Sequence, residues 1–303
     1  MSAAVVDVHA HVVVPGLGAD VRWLDGEQVV FHEGREIRAA IRELVDPGRI
    51  LEAQDEAGVD LVVLCPWVNL LGREVERQNE ALAGLVGERV AALGTVDLGL
   101  PEQLRELMAD GRLRGVEIPA APGGAYLGDP RFRDFWAVAE ETGALVFVHP
   151  STRGFALEAM DDHYLWNTVG NPLETTVTAA HMLGAGVLDD HPGLHVLLAH
   201  GGGALPALRG RLAHEQRIHP PGRDVAAAIR RFRVDTVVHD AAVLRGLVEL
   251  LGPSHVLCGS DYPFDMGVER PAEIVRALGL PPGDEARILG GNALRLLGQE
   301  SPA

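Results

Sequence analysis

Eight short apolar runs, most of them rich in β-branched residues, recur along the chain: 4–9 (AVVDVH), 61–65 (LVVLC), 90–96 (VAALGTV), 115–118 (GVEI), 144–149 (ALVFVH), 194–200 (LHVLLAH), 232–236 (FRVDT) and 255–261 (HVLCGSD). Between most of them lie longer stretches with helical spacing, such as ILEAQDEAG and FRDFWAVAEETG, the second closing on a glycine suited to a helix C-cap. Strands that alternate with helices indicate a parallel sheet, and runs apolar on both faces are what a helix-covered parallel sheet requires. Eight is also the number that closes a (β/α)8 barrel at about 250 residues plus insertions. The expected fold is therefore α/β, a (β/α)8 TIM barrel forming a single domain over 1–303, with insertions after the first and fifth strands, at 12–50 and 150–175. A doubly wound open sheet is the structural alternative.

Composition narrows the function. The net charge of -17 argues against a partner held by electrostatics, whether nucleic acid or an anionic membrane surface. Asp7, His9 and His11 interrupt the opening apolar run, and no run reaches membrane-spanning length, so the chain is expected to be cytoplasmic. Cys65 and Cys258 are too few and too far apart for a disulfide framework and read as reduced core thiols. All 26 Lys+Arg residues are Arg. The absence of Lys excludes a Schiff-base lysine, a phosphate-loop lysine and a carbamylated lysine bridging two metals.

The polar residues of these runs gather at their C-terminal ends. His9 ends the first strand with His11 two residues on, His149 ends the fifth, His200 the sixth, and Asp261 follows the eighth. In a barrel those ends converge on the face that carries catalysis. His9 and His11, at i and i+2 on an extended strand, point to one side and can share an ion. Neutral imidazole suits a divalent transition metal, and a carboxylate adds charge without demanding a second one. Asp7 is expected to face away from the pair, as a structural or orienting residue. The run VLLAHGGGAL raises a further point: three glycines after His200 let backbone or ligand approach closely, and a plain tight turn explains the glycines but not the histidine. The remaining histidines, among them His181, His195 and His219, read as surface or core residues.

These residues carry a family resemblance. VDVHAH (6–11), FVHP (147–150), AHGGG (199–203) and GSDYPF (259–264), with NPLETT, HPGLHV and GRLAH in order between them, resemble the amidohydrolase superfamily. Within it they resemble the decarboxylating branch of α-amino-β-carboxymuconate-ε-semialdehyde decarboxylase and the resorcylate and carboxyvanillate decarboxylases. The resemblance implies one divalent metal on His9, His11, His149 and Asp261; the family uses both zinc and manganese, and the imidazole-rich donor set favours zinc. It implies His200 beside the metal as general acid/base, with His200 or Asp261 delivering the proton. It further implies a homodimer in which Arg211 reaches the neighbouring subunit's site, Arg38 as a substrate-carboxylate contact and Trp166 as a pocket wall. The expected reaction is non-oxidative decarboxylation of a small aromatic or unsaturated carboxylic acid; hydrolysis of a lactone or amide on the same scaffold is the alternative. The segment 150–170 departs from those relatives, which leaves the substrate open.

Overall fold

The computed structural model describes residues 3–14, 19–24, 27–32, 35–37, 43–219 and 223–299. Strand β1 (Val6–Val12) is followed by an antiparallel meander, β2 (Ala19–Leu24), β3 (Glu27–His32) and β4 (Arg35–Ile37), before α1 (Pro47–Glu56). Strand and helix then alternate as β5 (Leu61–Pro66), α2 (Val75–Ala83), β6 (Val90–Ala92), α3 (Glu102–Asp110), β7 (Gly115–Pro119), α4 (Arg133–Thr142) and β8 (Leu145–His149). The order continues through α5 (Asn171–Ala185), α6 (Val187–Asp190), β9 (His195–Leu198), α7 (Leu205–Ile218), α8 (Val225–Ala228), β10 (Arg233–Asp235), α9 (Ala241–Leu251) and β11 (Val256–Leu257). Helices α10 (Pro271–Arg276), α11 (Pro282–Ala286) and α12 (Asn292–Leu296) close the chain.

The parallel strands run in the order β1-β5-β6 and β11-β10-β9-β8-β7. Two parallel bridges join these arcs, Gly94 to Val116 and Ala10 to Tyr262. Backbone bonds reinforce both seams, from Glu117 N–H to the Gly94 carbonyl (2.9 Å) and from His11 N–H to the Tyr262 carbonyl (2.7 Å). The ring is thereby closed, and the open-sheet alternative, which would leave two edges, does not apply.

Two apolar layers follow from strand periodicity. Val62, Leu64, Val116, Ile118, Val146 and Val148 pack outward against the helices, while Val6, Val8, Val63, Phe147, Leu197 and Leu257 fill the interior, with Leu294 and Leu297 beside them at the α12 end. Burying each such side chain stabilises the fold by about 1.5–3 kcal/mol. Helix boundaries obey local chemistry. Asp46 accepts hydrogen bonds from Gly48 N–H and Arg49 N–H at the start of α1, Asp240 does the same for Ala242 and Val243 at α9, and Gly143 ends α4 in the left-handed region.

The structure departs from the sequence reading in two places and supplies the physical reason for a third. The first insertion is not a plain loop, since β2 and β3 pair from Ala19–His32 to Leu24–Glu27. The Asp25-Gly26 dipeptide in the sequence is a hairpin signal that would have found them. Several strands end earlier than their apolar runs, so His200 lies beyond β9 rather than ending it, while Asp261 follows β11 as expected. The ladder stops after β9 because the Asp235 carboxylate takes the N–H groups of His200 and Gly201 (2.9 Å each). Finally, simple alternation would set Asp7, His9 and His11 on one side of β1. A register shift against β5 between Asp7 and Ala10 breaks it, so Asp7 bonds Gln54 of α1 while His9 and His11 turn inward.

Candidate metal centre

His9, His11, His149 and Asp261 are all buried, and one ligand atom from each lies within 4.8 Å of the others. Every imidazole in this group turns its Nδ1 outward. His9 Nδ1 is 2.7 Å from Asp235 Oδ2, His149 Nδ1 is 2.9 Å from the Pro150 carbonyl oxygen, and His11 Nδ1 lies 3.5 Å from the Pro66 carbonyl and 3.8 Å from Glu117 Oε2. The Nε2 atoms of His9 and His11 approach to 3.0 Å, and Asp261 Oδ1 stands 3.2 Å from the first and 3.4 Å from the second. His149 Nε2 and Asp261 Oδ1 are buried with no hydrogen-bond partner. Three nitrogens and an oxygen facing one point, two of them unsatisfied, fit a single divalent ion whose imidazole ligands are oriented from behind through Nδ1.

Charge follows the same geometry. Burial alone would lower the His9 imidazole, but Asp261 and Asp235 outweigh it and hold it well above the usual range. Burial would raise Asp261, yet His9, His11 and His200 hold its carboxyl well below. Burial, and then the neighbouring His11, His200 and His9, push His149 well below the ordinary imidazole range. Burial thus holds His11 and His149 toward the neutral form and the imidazoles keep Asp261 ionised, the forms that bind a divalent cation, whereas the carboxylates favour a proton on His9 that a cation would have to displace.

His200 stands outside the four-residue set. Its Nε2 is 3.3 Å from Asp261 Oδ2, its ring centroid is 5.2 Å from that of His149, and its Nδ1 is buried without a partner. Both His200 and Asp261 have positive φ, 55° and 60°, a conformation that side chains rarely adopt and that the surrounding bonds must enforce. Asp235 supplies that enforcement for His200. It accepts from the backbone of His200, Gly201 and Val237 while bonding His9, so one carboxylate fixes a ligand and the adjacent histidine together. Asp7 does similar work across the barrel seam, accepting from Ser260 N–H and Oγ–H beside Asp261.

A cavity of about 240 Å³ opens beside this centre, lined by Asn167, Thr168, His200, Val237, His239 and Asp261 among others. Small-molecule sites run from about 300 Å³ upward, so this space is small beside them. Trp166 is half-buried next to Asn167, its ring engaged by Arg153 (4.4 Å to the centroid) and Tyr164 (4.9 Å between centroids). Arg211 is exposed on α7, and Arg38 lies outside the described residues. The glycines after His200 serve the protein's own packing as much as a ligand. A Cβ at Gly203 would stand 2.0 Å from the Pro172 carbonyl oxygen, and one at Gly201 2.4 Å from Val238 Cγ1.

Sequence reasoning missed Asp235, Glu117 and His239. Asp235 is the last residue of β10 but lies one residue inside the run FRVDT, which ends on Thr236, so the run's end did not single it out. Glu117 is the one charge inside GVEI, and His239 follows β10 by four residues.

Fold and site together define a closed (β/α)8 barrel with a buried imidazole–carboxylate centre at the C-terminal ends of its strands. The chain belongs to the amidohydrolase family, whose model matches residues 6–299. It is 30% identical over 292 residues to a 2-amino-3-carboxymuconate-6-semialdehyde decarboxylase of Dictyostelium discoideum, covering 88% of this chain and 80% of that one. Among solved structures it is similar to a 5-carboxyvanillate decarboxylase from Sphingomonas paucimobilis (TM-score 0.83, 23% identity, 99% of this chain and 100% of that chain). It is also similar to a dihydroxybenzoic acid decarboxylase from a Polaromonas species with bound manganese (TM-score 0.77, 18% identity, 98% and 97%). No helix among the described residues is long and apolar enough to cross a membrane.

Proposed function

We propose that this protein is a metal-dependent, non-oxidative decarboxylase of a small aromatic or unsaturated carboxylic acid, built as one domain over 1–303. The observation that carries the reading is the contact of His200 with Asp261, a proton-carrying side chain set against a carboxylate of the metal-ligand cluster and facing the cavity. The named relatives, all decarboxylases of such acids, support it. His9, His11, His149 and Asp261 would hold one divalent ion. When bound, that ion supplies a Lewis acid for a substrate oxygen.

The chain's own residues do the rest. Loss of CO2 leaves an electron pair on the ring or diene carbon, so protonation of that carbon before the C–C bond breaks gives the electrons somewhere to go. His200 is placed to deliver that proton and Asp261 to hold His200 in position, because both Asp261 oxygens are already surrounded by imidazoles. The proton replaces the carboxylate on carbon, and the bonding pair of the departing CO2 restores the unsaturation.

We infer zinc as the resident ion from the imidazole-rich donor set; the manganese in the Polaromonas relative makes manganese the ion to compare. Trp166 is proposed as a wall of the cavity mouth and Arg38 as a substrate-carboxylate contact. A homodimer, with Arg211 reaching the partner's site, is supported by the exposure of Arg211 on α7. Two buried unpaired thiols, Cys65 and Cys258, support a reducing, cytoplasmic setting. The test is elemental analysis of the purified protein together with CO2 release across hydroxybenzoic and muconate-type acids. One metal per chain and CO2 release are expected. Lactone cleavage without CO2 would replace this reading by the hydrolase one.

A further inference from the structure

The opposite mouth of the barrel carries a second polar cluster that the reaction does not use. Strands β9, β10 and β11 are neighbours, and each begins with a base: His195 is the first residue of β9, Arg233 the first of β10, and His255 immediately precedes β11. Register places the three on one face. Arg233 pairs with Leu197 and Val234 with Val256, so Arg233 shares the inward side of Leu197, His195 lies on that side two residues earlier, and His255 stands beside Arg233. Leu197 and Leu257 belong to the interior cluster, which fixes that side as the barrel lumen. All three bases are half-buried at its rim.

Two of their nitrogens, Arg233 Nη1 and His195 Nδ1, are hidden from solvent and have no hydrogen-bond partner. His255 Nδ1 is 3.1 Å from the Ser254 hydroxyl. Among the described residues no carboxylate pairs with Arg233, although the chain as a whole carries an excess of 17 negative charges. A partly buried guanidinium without a counter-charge is costly, and in folded proteins such a group is normally paired. Burial, and then the Arg233 charge, lower both neighbouring imidazoles, as expected where positive potential accumulates unbalanced.

We propose that His195, Arg233 and His255 form a binding site for a small oxyanion, a phosphate, sulfate or carboxylate group, at the N-terminal mouth of the barrel. A planar guanidinium beside two imidazoles presents donors matched to oxygens of that class. An anion bound there ties together the starts of the three strands whose far ends lead to His200, Asp235 and Asp261.

Thermal unfolding of the metal-loaded protein tests this, with inorganic phosphate, sulfate and acetate titrated separately against potassium chloride at matched ionic strength. A saturable rise in Tm is expected for at least one oxyanion and not for chloride, and the ranking of the three separates tetrahedral from carboxylate ligands. Arg233→Gln is expected to weaken that binding by about tenfold or more, as loss of a charge-assisted donor fork implies, while leaving turnover unchanged. The comparison with this variant subtracts any oxyanion bound at the metal centre. Should Arg233→Gln fail to fold, His255→Gln and His195→Gln carry the same comparison. Equal stabilisation by chloride, or undiminished oxyanion binding in the variants, overturns the proposal.

Discussion

At the residue scale, the proposed mechanism divides the work between His200, which would move the proton, and Asp235, which holds His200 and His9 in place. His200 contributes no atom to the four-residue metal set, so His200→Ala is expected to retain metal while activity falls roughly 10²- to 10⁴-fold, the usual worth of a general acid/base. Metal analysis and turnover on the same sample check this; loss of metal along with activity would make His200 a ligand. Asp235 gives the complementary case. It bonds His9 Nδ1 at 2.7 Å and the His200 backbone at 2.9 Å, so Asp235→Asn would disturb a proposed ligand and the proposed proton carrier through one change. Metal affinity, measured by competition with a chelator, is expected to fall about 10- to 100-fold, as when the partner behind a ligating histidine is removed. Unchanged affinity would restrict Asp235 to shaping the turn after β9.

At the scale of elements, the turn from β9 into α7 decides whether the site assembles. Gly203 has φ 63° and passes so close to the first turn of α5 that a Cβ would overlap the Pro172 carbonyl oxygen. Gly203→Ala should destabilise the fold by about 2–5 kcal/mol, from backbone strain and overpacking together, and lower turnover as His200 shifts. Chemical denaturation checks the first part, and a stability within 1 kcal/mol of wild type would show that the turn yields, a margin set by ordinary tolerant sites, about 0.5 kcal/mol. The barrel and the convergence of His9, His11, His149 and Asp261 were legible in the sequence because strand–helix alternation is periodic and each of the four stands at or near a strand end. Strand–helix alternation repeats eight times, and His9 and His11 sit two residues apart. Asp235 was not, because its partner His9 is 226 positions away and a lone strand-end carboxylate announces no pairing. The inward turn of His9 and His11 was read correctly, but through a bulge that alternation alone does not contain.

On the scale of the whole molecule, α7 exposes large apolar side chains on its outer side. Leu205 is its one buried residue, and Leu208 and Ile218 are 37% and 56% exposed. Spaced by three and ten residues from Leu208, Arg211 and Ile218 fall on the same side of a helix as it. A mixed face of this kind, Leu208 and Ile218 flanking Arg211 and Glu215, can serve a two-fold contact in which each chain offers the same surface, and the proposed homodimer would then carry Arg211 toward its partner. Gly203, two residues before α7 begins, lines the cavity, so a contact along this helix lies close to the site mouth. A guanidinium fork supplied across that contact can clamp a carboxylate. Mixing inactive Arg211→Ala chains with inactive His200→Ala chains should therefore restore part of the activity, because a mixed dimer holds one site in which His200 and the partner's Arg211 are both intact. Labelled chains establish separately that subunits exchange. Exchange without recovery would place Arg211 in its own subunit's site or outside the chemistry, and full activity in a strictly monomeric preparation would remove the dimer requirement itself.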